Sequence, residues 1–363
     1  MISTLTNRIL SVLCLSCLIL YSISSNAQFA APSQSSITLI TNDAGQSTIK
    51  FESGGIIESM VNTPLGEAVI INIDEGTPIL QKGFPDLPKL TASIIIPDDK
   101  NMEVTVTSAS YSDYENILVA PSKGSLLRDV DPAAIPFYFD SAYQENNFFP
   151  KDIATLREPY ILRDYRAQTV IVFPIQYNPV TKTLRIYSEI IVSVSANNNA
   201  AENVLKRNPN VEIKTPSVFN ELYQNRFINF ESDTRYEQLE EEGNLLIISY
   251  GPYMNAMQPL ADWKIQKGMR TEIVDVSLIG NDKTSIKNYV ANYYNTKGLT
   301  YLLLAGDAAQ VAAGSTGAGD ADNDYGYILG EDHYQEIFVG RFSAETEADI
   351  ISQVSKTIAY EKT

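Results

Sequence analysis

Apolar residues alternate with polar ones through stretch after stretch between Gln28 and Asn229, and beyond Asn229 that period disappears. A two-residue period belongs to a strand with one buried face, because successive side chains leave a pleated backbone on opposite sides. "NMEVTVTS" places Val104 and Val106 on one face, with Glu103, Thr105 and Thr107 on the other. "TVIVFPIQYNPVTKTLRIYSEIIVSVSA" predicts a hairpin that turns at Asn178-Pro179 and Thr181-Lys182. Its return strand carries Leu184, Ile186, Ile190, Val192 and Val194 with one parity. No helical period of useful length interrupts the pattern before "SVFNELYQN", so the expected fold of residues 28–235 is an all-β sandwich.

"NFESDTRYEQLEEEGN" is polar, acidic and poor in core residues, and so predicts an exposed linker. After it the rhythm becomes βαβαβ. "NLLIIS" and "TEIVDVS" predict strands separated by a helix with Met257, Leu260, Ala261 and Ile265 on one face, closed by Gly268. A second helix carries Ile286, Tyr289, Val290 and Tyr293 and is closed by Gly298. "YLLLAGD" is too apolar to be half exposed, which predicts a central strand of a parallel sheet. "EIFVGRF" gives a fourth strand. A last helix starts at Ser343 or Thr346 and faces the core with Ile351, Val354 and Ile358. The 236–363 region is therefore expected to be α/β with a mostly parallel sheet.

The amino terminus has the pattern of an export signal over residues 1–27. Arg8 precedes an apolar run from Ile9 to Tyr21, and Ser25 and Ala27 stand at −3 and −1 of a cleavage site before Gln28. The run is short for a membrane span, and a lipoprotein site at Cys17 is the alternative. The chain has two cysteines, Cys14 and Cys17, both inside this segment, so the exported chain has no thiol and no disulfide. A net charge of −17 argues against nucleic acid and anionic membranes as partners.

Few residues carry candidate chemistry. Asp307 ends the apolar strand, at the edge where α/β sheets build their sites, although a helix cap or turn serves as well. Asp320, Asp322, Asp324 and Glu331 have the spacing of a calcium loop, but Tyr325 stands where that loop needs glycine, which points to a solvated acidic loop. In an extended segment Asp332, Tyr334 and Glu336 share one side and His333, the only histidine, points to the other. Two carboxylates with the Tyr334 carbonyl between them suit Ca²⁺. A Ser–His–Asp triad on His333 lacks a G-x-S-x-G elbow. Arg341 is positioned to bind an anion or to pair with a carboxylate.

"YLLLAGD" followed by "DYGYILGEDHYQEIFVGRFSAETEADIISQVSKTIAYEK" closely resembles the gingipain family of cysteine endopeptidases, secreted by Bacteroidetes. "GFPDLPKLTASIIIPDDKNMEVTV" and "VFPIQYNPVTKTLRIYSEIIVSV" resemble that family's pro-domain. The resemblance implies a multidomain zymogen: signal peptide (1–27), β-sandwich pro-domain (28–235) and the N-terminal portion of a caspase-like α/β peptidase domain (236–363). It implies a His–Cys dyad and specificity pocket downstream of this sequence, so the chain alone is expected to be inactive. It also implies a structural Ca²⁺ on Asp307, Asp332, Glu336 and the carbonyls of Leu329 and Tyr334; with the exposed linker it points to processing at Arg235–Tyr236, in addition to the export cleavage expected at Ala27–Gln28. An inhibitory loop is implied in "PSKGSLLRDVDPAA", with Lys123 or Arg128 entering the specificity pocket, and a pro-domain packed on its own catalytic domain. Expected partners of the parent are protein substrates, and the expected location is extracellular or at the cell surface, with type IX secretion as a route. Two alternatives stay open: a sortase-like protease of the type IX machinery, and a non-catalytic secreted calcium-binding or pro-domain module.

Overall fold

The computed structural model describes residues 34–43, 45–207, 215–231, 243–317 and 319–363. The expected export segment and its expected cleavage site, Ala27–Gln28, lie outside the described residues, as does the expected processing site Arg235–Tyr236.

The first region forms two five-stranded antiparallel sheets and a separate ribbon. One sheet contains β1 (Ser36–Asp43), β2 (Gln46–Glu52), β7 (Asn101–Tyr114), β11 (Ile175–Asn178) and β12 (Thr183–Asn197). The other contains β5 (Thr77–Pro78), β6 (Pro88–Ile95), β8 (Ala154–Leu156), β9 (Tyr160–Leu162) and β10 (Tyr165–Val172). The ribbon pairs β3 (Ile57–Thr63) with β4 (Gly66–Asn72). Phe51, Ile190 and Val192 from the first sheet share one buried cluster with Leu90, Ile94 and Val170 from the second, so the two sheets face each other as a sandwich. The five return-strand residues of common parity, Leu184 to Val194, are all buried. The hairpin turns where the sequence predicts, and the Asn178 side-chain oxygen accepts hydrogen bonds from the backbone N–H of Val180 and Thr181.

Helix α1 (Ser217–Arg226) closes this region by burying Phe219 and Tyr223 against Tyr160, Leu162 and Ala167 of the β9–β10 hairpin. Beside it, Arg166 is 1% exposed and donates hydrogen bonds to four backbone carbonyls, those of Pro97, Lys100, Glu202 and Asn203. One guanidinium thus gathers two loops that have no regular structure of their own.

The second region is a parallel sheet in the order β14 (Arg270–Asp275), β13 (Asn244–Ser249), β15 (Tyr301–Ala305), β18 (Phe338–Phe342). A short ribbon, β16 (Ser315–Thr316) with β17 (Gly319–Asp320), lies in the β15–β18 connection. Alternate residues of β13 go to opposite faces: Leu246 and Ile248 meet helix α3 (Lys283–Lys297), while Leu245 and Ile247 meet α2 (Met254–Gln266) and α4 (Glu347–Glu361). The result is three layers with β13 and β15 central.

Three expectations are corrected. Ile265 is exposed, because α2 packs through Ala256, Met257, Leu260 and Ala261 and Ile265 lies beyond that stripe. Helix α4 starts at its Thr346 capping box and buries Ile350 and Val354, which leaves Ile351 exposed. The fourth strand begins at Phe338, and residues 331–333 bend, so side-chain parity does not extend across 332–336.

Replacing Arg166 with Met leaves four backbone carbonyls without their donor. Hydrogen bonds to charged groups contribute about 1.5–3 kcal/mol each without being additive. The expected loss is about 3 kcal/mol or more, read as a lower urea midpoint of the full chain.

Candidate functional site

The candidate residues sit at opposite edges of the parallel sheet. Ala305 of β15 pairs with Phe342 of β18 at the carboxyl edge, and Tyr301 pairs with Phe338 at the amino edge. Asp307 follows β15 at the carboxyl edge, where its N–H donates to the Ala344 carbonyl and its carboxylate accepts from the Ser343 hydroxyl. That bond holds its pKa below the ordinary aspartate value. With Asp320, Asp322 and Arg341 it lines a crevice of about 210 Å³. Arg341 does not stand free: it makes two bonds of 2.7 Å to Asp322 and donates to the carbonyls of Gly306 and Val311. Asp324 forms ion pairs with Lys283 and Lys287, so two acids of the calcium-like spacing are used in ion pairs.

Leu329, Asp332, Tyr334 and Glu336 belong to the loop that enters β18 at the amino edge. Glu336 is 0% exposed. One of its oxygens accepts from the backbone N–H groups of Ile328 and Leu329, while Oε1 is buried without a hydrogen-bond partner. Burial raises its pKa to about 7, and the nearby Asp332 charge adds to the shift. Asp332 Oδ1 accepts from the Tyr334 N–H. His333 is exposed with its ring edge against Tyr327 and takes no part in this network, although the bend at 331–333 removes the strand parity on which its opposite orientation was expected. Among the described residues no three Asp, Glu, His or Cys side chains gather as a metal site. Asp307 is thus not brought to the other four predicted ligands, because the length of β15 and β18 separates the two edges.

The amino edge is instead where the two regions meet. Asp332 Oδ2 accepts from the Ile161 N–H and from the Asn203 side-chain amide, both at 2.7 Å. The Asn203 carbonyl oxygen of the side chain accepts from the Glu331 N–H. Arg163, 3% exposed, donates to the carbonyls of Leu299 and Glu336 and lies over the rings of Phe219 and Tyr294. Asp164 sits 3.6 Å from its Nε, and Tyr223 donates to the far oxygen of Asp164. Tyr160 stacks on Tyr334 with ring centres 4.0 Å apart, and Arg226 donates to the Tyr334 hydroxyl. Gly330 has φ +73°, and a Cβ there would come within 2.5 Å of the Asn203 side-chain oxygen.

Sequence reasoning expected the first region to pack on the second but missed Tyr160, Arg163 and Asn203 as the residues that do so. The available signal was "YILRDYR", where three charged residues interrupt an otherwise apolar run and therefore need buried partners. Lys123 donates to the Pro132 carbonyl and covers the Phe137 ring, while Arg128 is exposed.

The sequence-family comparisons agree with this two-part plan. The Propeptide_C25 model matches residues 29–237, and the Peptidase family C25 model matches 238–363. The chain belongs to the gingipain family of cysteine endopeptidases, and carries a propeptide region followed by the N-terminal part of a peptidase domain. Gingipain R2 of Porphyromonas gingivalis is 37% identical over 366 residues, covering 98% of this chain and 48% of the relative. Gingipain R1 from the same organism is 39% identical over 320 residues, covering 86% of this chain and 32% of the relative. The chain thus spans about half or less of these curated relatives. A solved complex of Porphyromonas gingivalis RgpB pro- and mature domains is 37% identical, with a TM-score of 0.50, over 54% of this chain and 98% of that one.

Gly330→Ala introduces both a left-handed alanine and a clash with Asn203. It should cost about 1–3 kcal/mol, while Gly340→Ala, where a Cβ meets nothing within 4 Å, should cost less. Paired urea titrations of the two variants make the comparison.

Proposed function

We propose that this chain is the N-terminal portion of a secreted gingipain-like cysteine endopeptidase zymogen, whose pro-domain holds the first part of a caspase-like peptidase domain before the linker is cut. The observation that carries the reading is the junction itself: two adjoining family matches whose domains are joined by Arg163, Asn203 and Asp332. The parallel sheet, with helices on both faces, supports the caspase-like assignment. Exposed Arg128 remains the candidate inhibitory residue, in preference to Lys123, whose ammonium group is engaged within its own loop. No described helix is long and apolar enough to cross a membrane, and the export segment precedes the described residues.

Both cysteines fall within the export segment, so the purified exported chain should show no thiol-blockable peptide hydrolysis. Amino-terminal sequencing of the processed parent should begin at Tyr236, since polar linkers are preferred sites of nicking. Hydrolysis by the chain, or a start several residues away, would refute the corresponding assignment.

We also propose a structural Ca²⁺ at the amino edge, with a ligand set reduced to Asp332, Glu336 and the carbonyls of Leu329 and Tyr334. The buried, unpartnered Glu336 Oε1 supports it, because a carboxylate oxygen out of water needs a donor or a cation. When bound, the ion would offset the repulsion of the two acids. At about 100 times its Kd, calcium would add about 2.7 kcal/mol to stability. Melting curves in calcium and in chelator should differ for wild type, His333→Ala and Asp307→Ala, and coincide for Glu336→Gln. Equal responses in all four would remove the site from this loop.

A further inference from the structure

We propose that the amino edge of the peptidase domain is a peptide-binding exosite for a turn segment carrying an aromatic residue three positions before an arginine. In this chain the pro-domain segment Tyr160–Arg163 occupies it. Within four residues that segment delivers three different groups. The Tyr160 ring covers Tyr334, the Ile161 N–H reaches the Asp332 carboxylate, and the Arg163 guanidinium bridges the carbonyls of Leu299 and Glu336. Tyr160 is buried between its own domain's α1 cluster and the Tyr334 ring, so one face of it is given to the edge. A turn is needed because Arg163 has φ +49°, where the chain reverses from β9 into β10.

The receiving groups are held by the peptidase domain's own bonds. The Tyr334 N–H closes on Asp332 Oδ1, the Glu336 N–H donates to the Gly326 carbonyl, and the Phe338 N–H donates to the Thr300 carbonyl. The Glu336 side chain fixes Ile328 and Leu329 from within. These bonds would persist when the occupant leaves, while the two made by Asn203 to Asp332 and Glu331 would go with it. Once vacated, the edge would present two backbone carbonyls suited to a guanidinium, a carboxylate suited to a peptide N–H, and a phenol face suited to an aromatic ring. The ligand class is a protein chain with that aromatic-x-x-Arg turn, bound at the edge opposite Asp307. Its use by other proteins rests on the reading that the pro-domain departs after linker cleavage. The site itself does not.

The test opens the site in the full chain with Tyr160→Ala plus Arg163→Ala and a nick in the 232–242 linker, so that the resident segment can leave, and titrates a labelled hairpin peptide spanning residues 158–168, by fluorescence anisotropy. Chelator is present throughout, so a cation at Asp332 plays no part. The opened chain should bind the peptide saturably. Wild type, whose own segment fills the site, should bind it about tenfold more weakly or worse, equivalent to about 1.4 kcal/mol. Peptides with alanine in place of Tyr160 or of Arg163 should lose about tenfold as well, and adding Tyr334→Ala to the opened chain should weaken binding by a similar factor. Equal binding to wild type and opened chain, indifference to those substitutions, or no binding to a cooperatively melting opened chain would overturn the proposal. Should the opened chain not fold, wild type nicked in the 232–242 linker is titrated with excess peptide. Release of the pro-domain fragment on gel filtration then supports the exosite, and its retention overturns it. Neither assay depends on where natural processing occurs, so a failed processing site and a failed exosite give different results.

Discussion

A guanidinium withdrawn from water must find charge and acceptors, and Arg163 finds them on both sides of a domain boundary. Asp164 faces it from its own turn, and the carbonyls of Leu299 and Glu336 come from the other domain. Separating the domains leaves the Arg163–Asp164 pair together and breaks the two carbonyl bonds, each of a kind that contributes about 1.5–3 kcal/mol, so water must replace those carbonyls as the charge is exposed. Around it the arrangement is layered. Asp164 is fixed by the hydroxyls of Tyr223 and Thr215, Tyr223 belongs to the aromatic cluster of α1, and α1 sets the hairpin that carries Arg163. The linkage runs from one buried charge to the packing of a whole helix.

The edges of the parallel sheet have separate duties as a result. The carboxyl edge keeps Asp307, the Arg341–Asp322 pair and an open crevice. The amino edge is covered by the pro-domain through Asp332, Tyr334 and the backbone at Leu299 and Glu336. Open α/β sheets place ligand sites at their carboxyl ends, so a pro-domain anchored at the other end can be gripped firmly without the grip itself filling that crevice.

Much of the fold was legible because it depends on local period. Strict alternation located β7 and β12, the Asn178 turn had its mechanism in the side chain, and glycines at 268 and 298 ended helices with positive φ. Helix faces were legible only to within one residue, as Ile350 against Ile351 shows, since the neighbouring helix decides which of two adjacent isoleucines is covered. The loop before β18 was harder. Alternation assumed an extended chain, whereas residues 331–333 bend to bring Asp332 onto Asn203. No period links positions 129 residues apart. The sequence could show that Arg163, Asp164 and Arg166 needed buried partners, but not which carbonyls would receive them.

Asn203 and Gly330 meet so closely that neither position is independent of the other. Asn203 itself has φ +48°, a conformation asparagine tolerates better than most residues, and Gly330 yields the space its side chain fills. Arg163, by contrast, grips main-chain oxygen that every amino acid supplies. Divergence along the boundary is therefore expected to be uneven: Leu299 can drift in identity while its carbonyl stays in place, but positions 203 and 330 must change together or not at all. A chimaera that joins this pro-domain to a distant relative's peptidase domain would first fail at that pair.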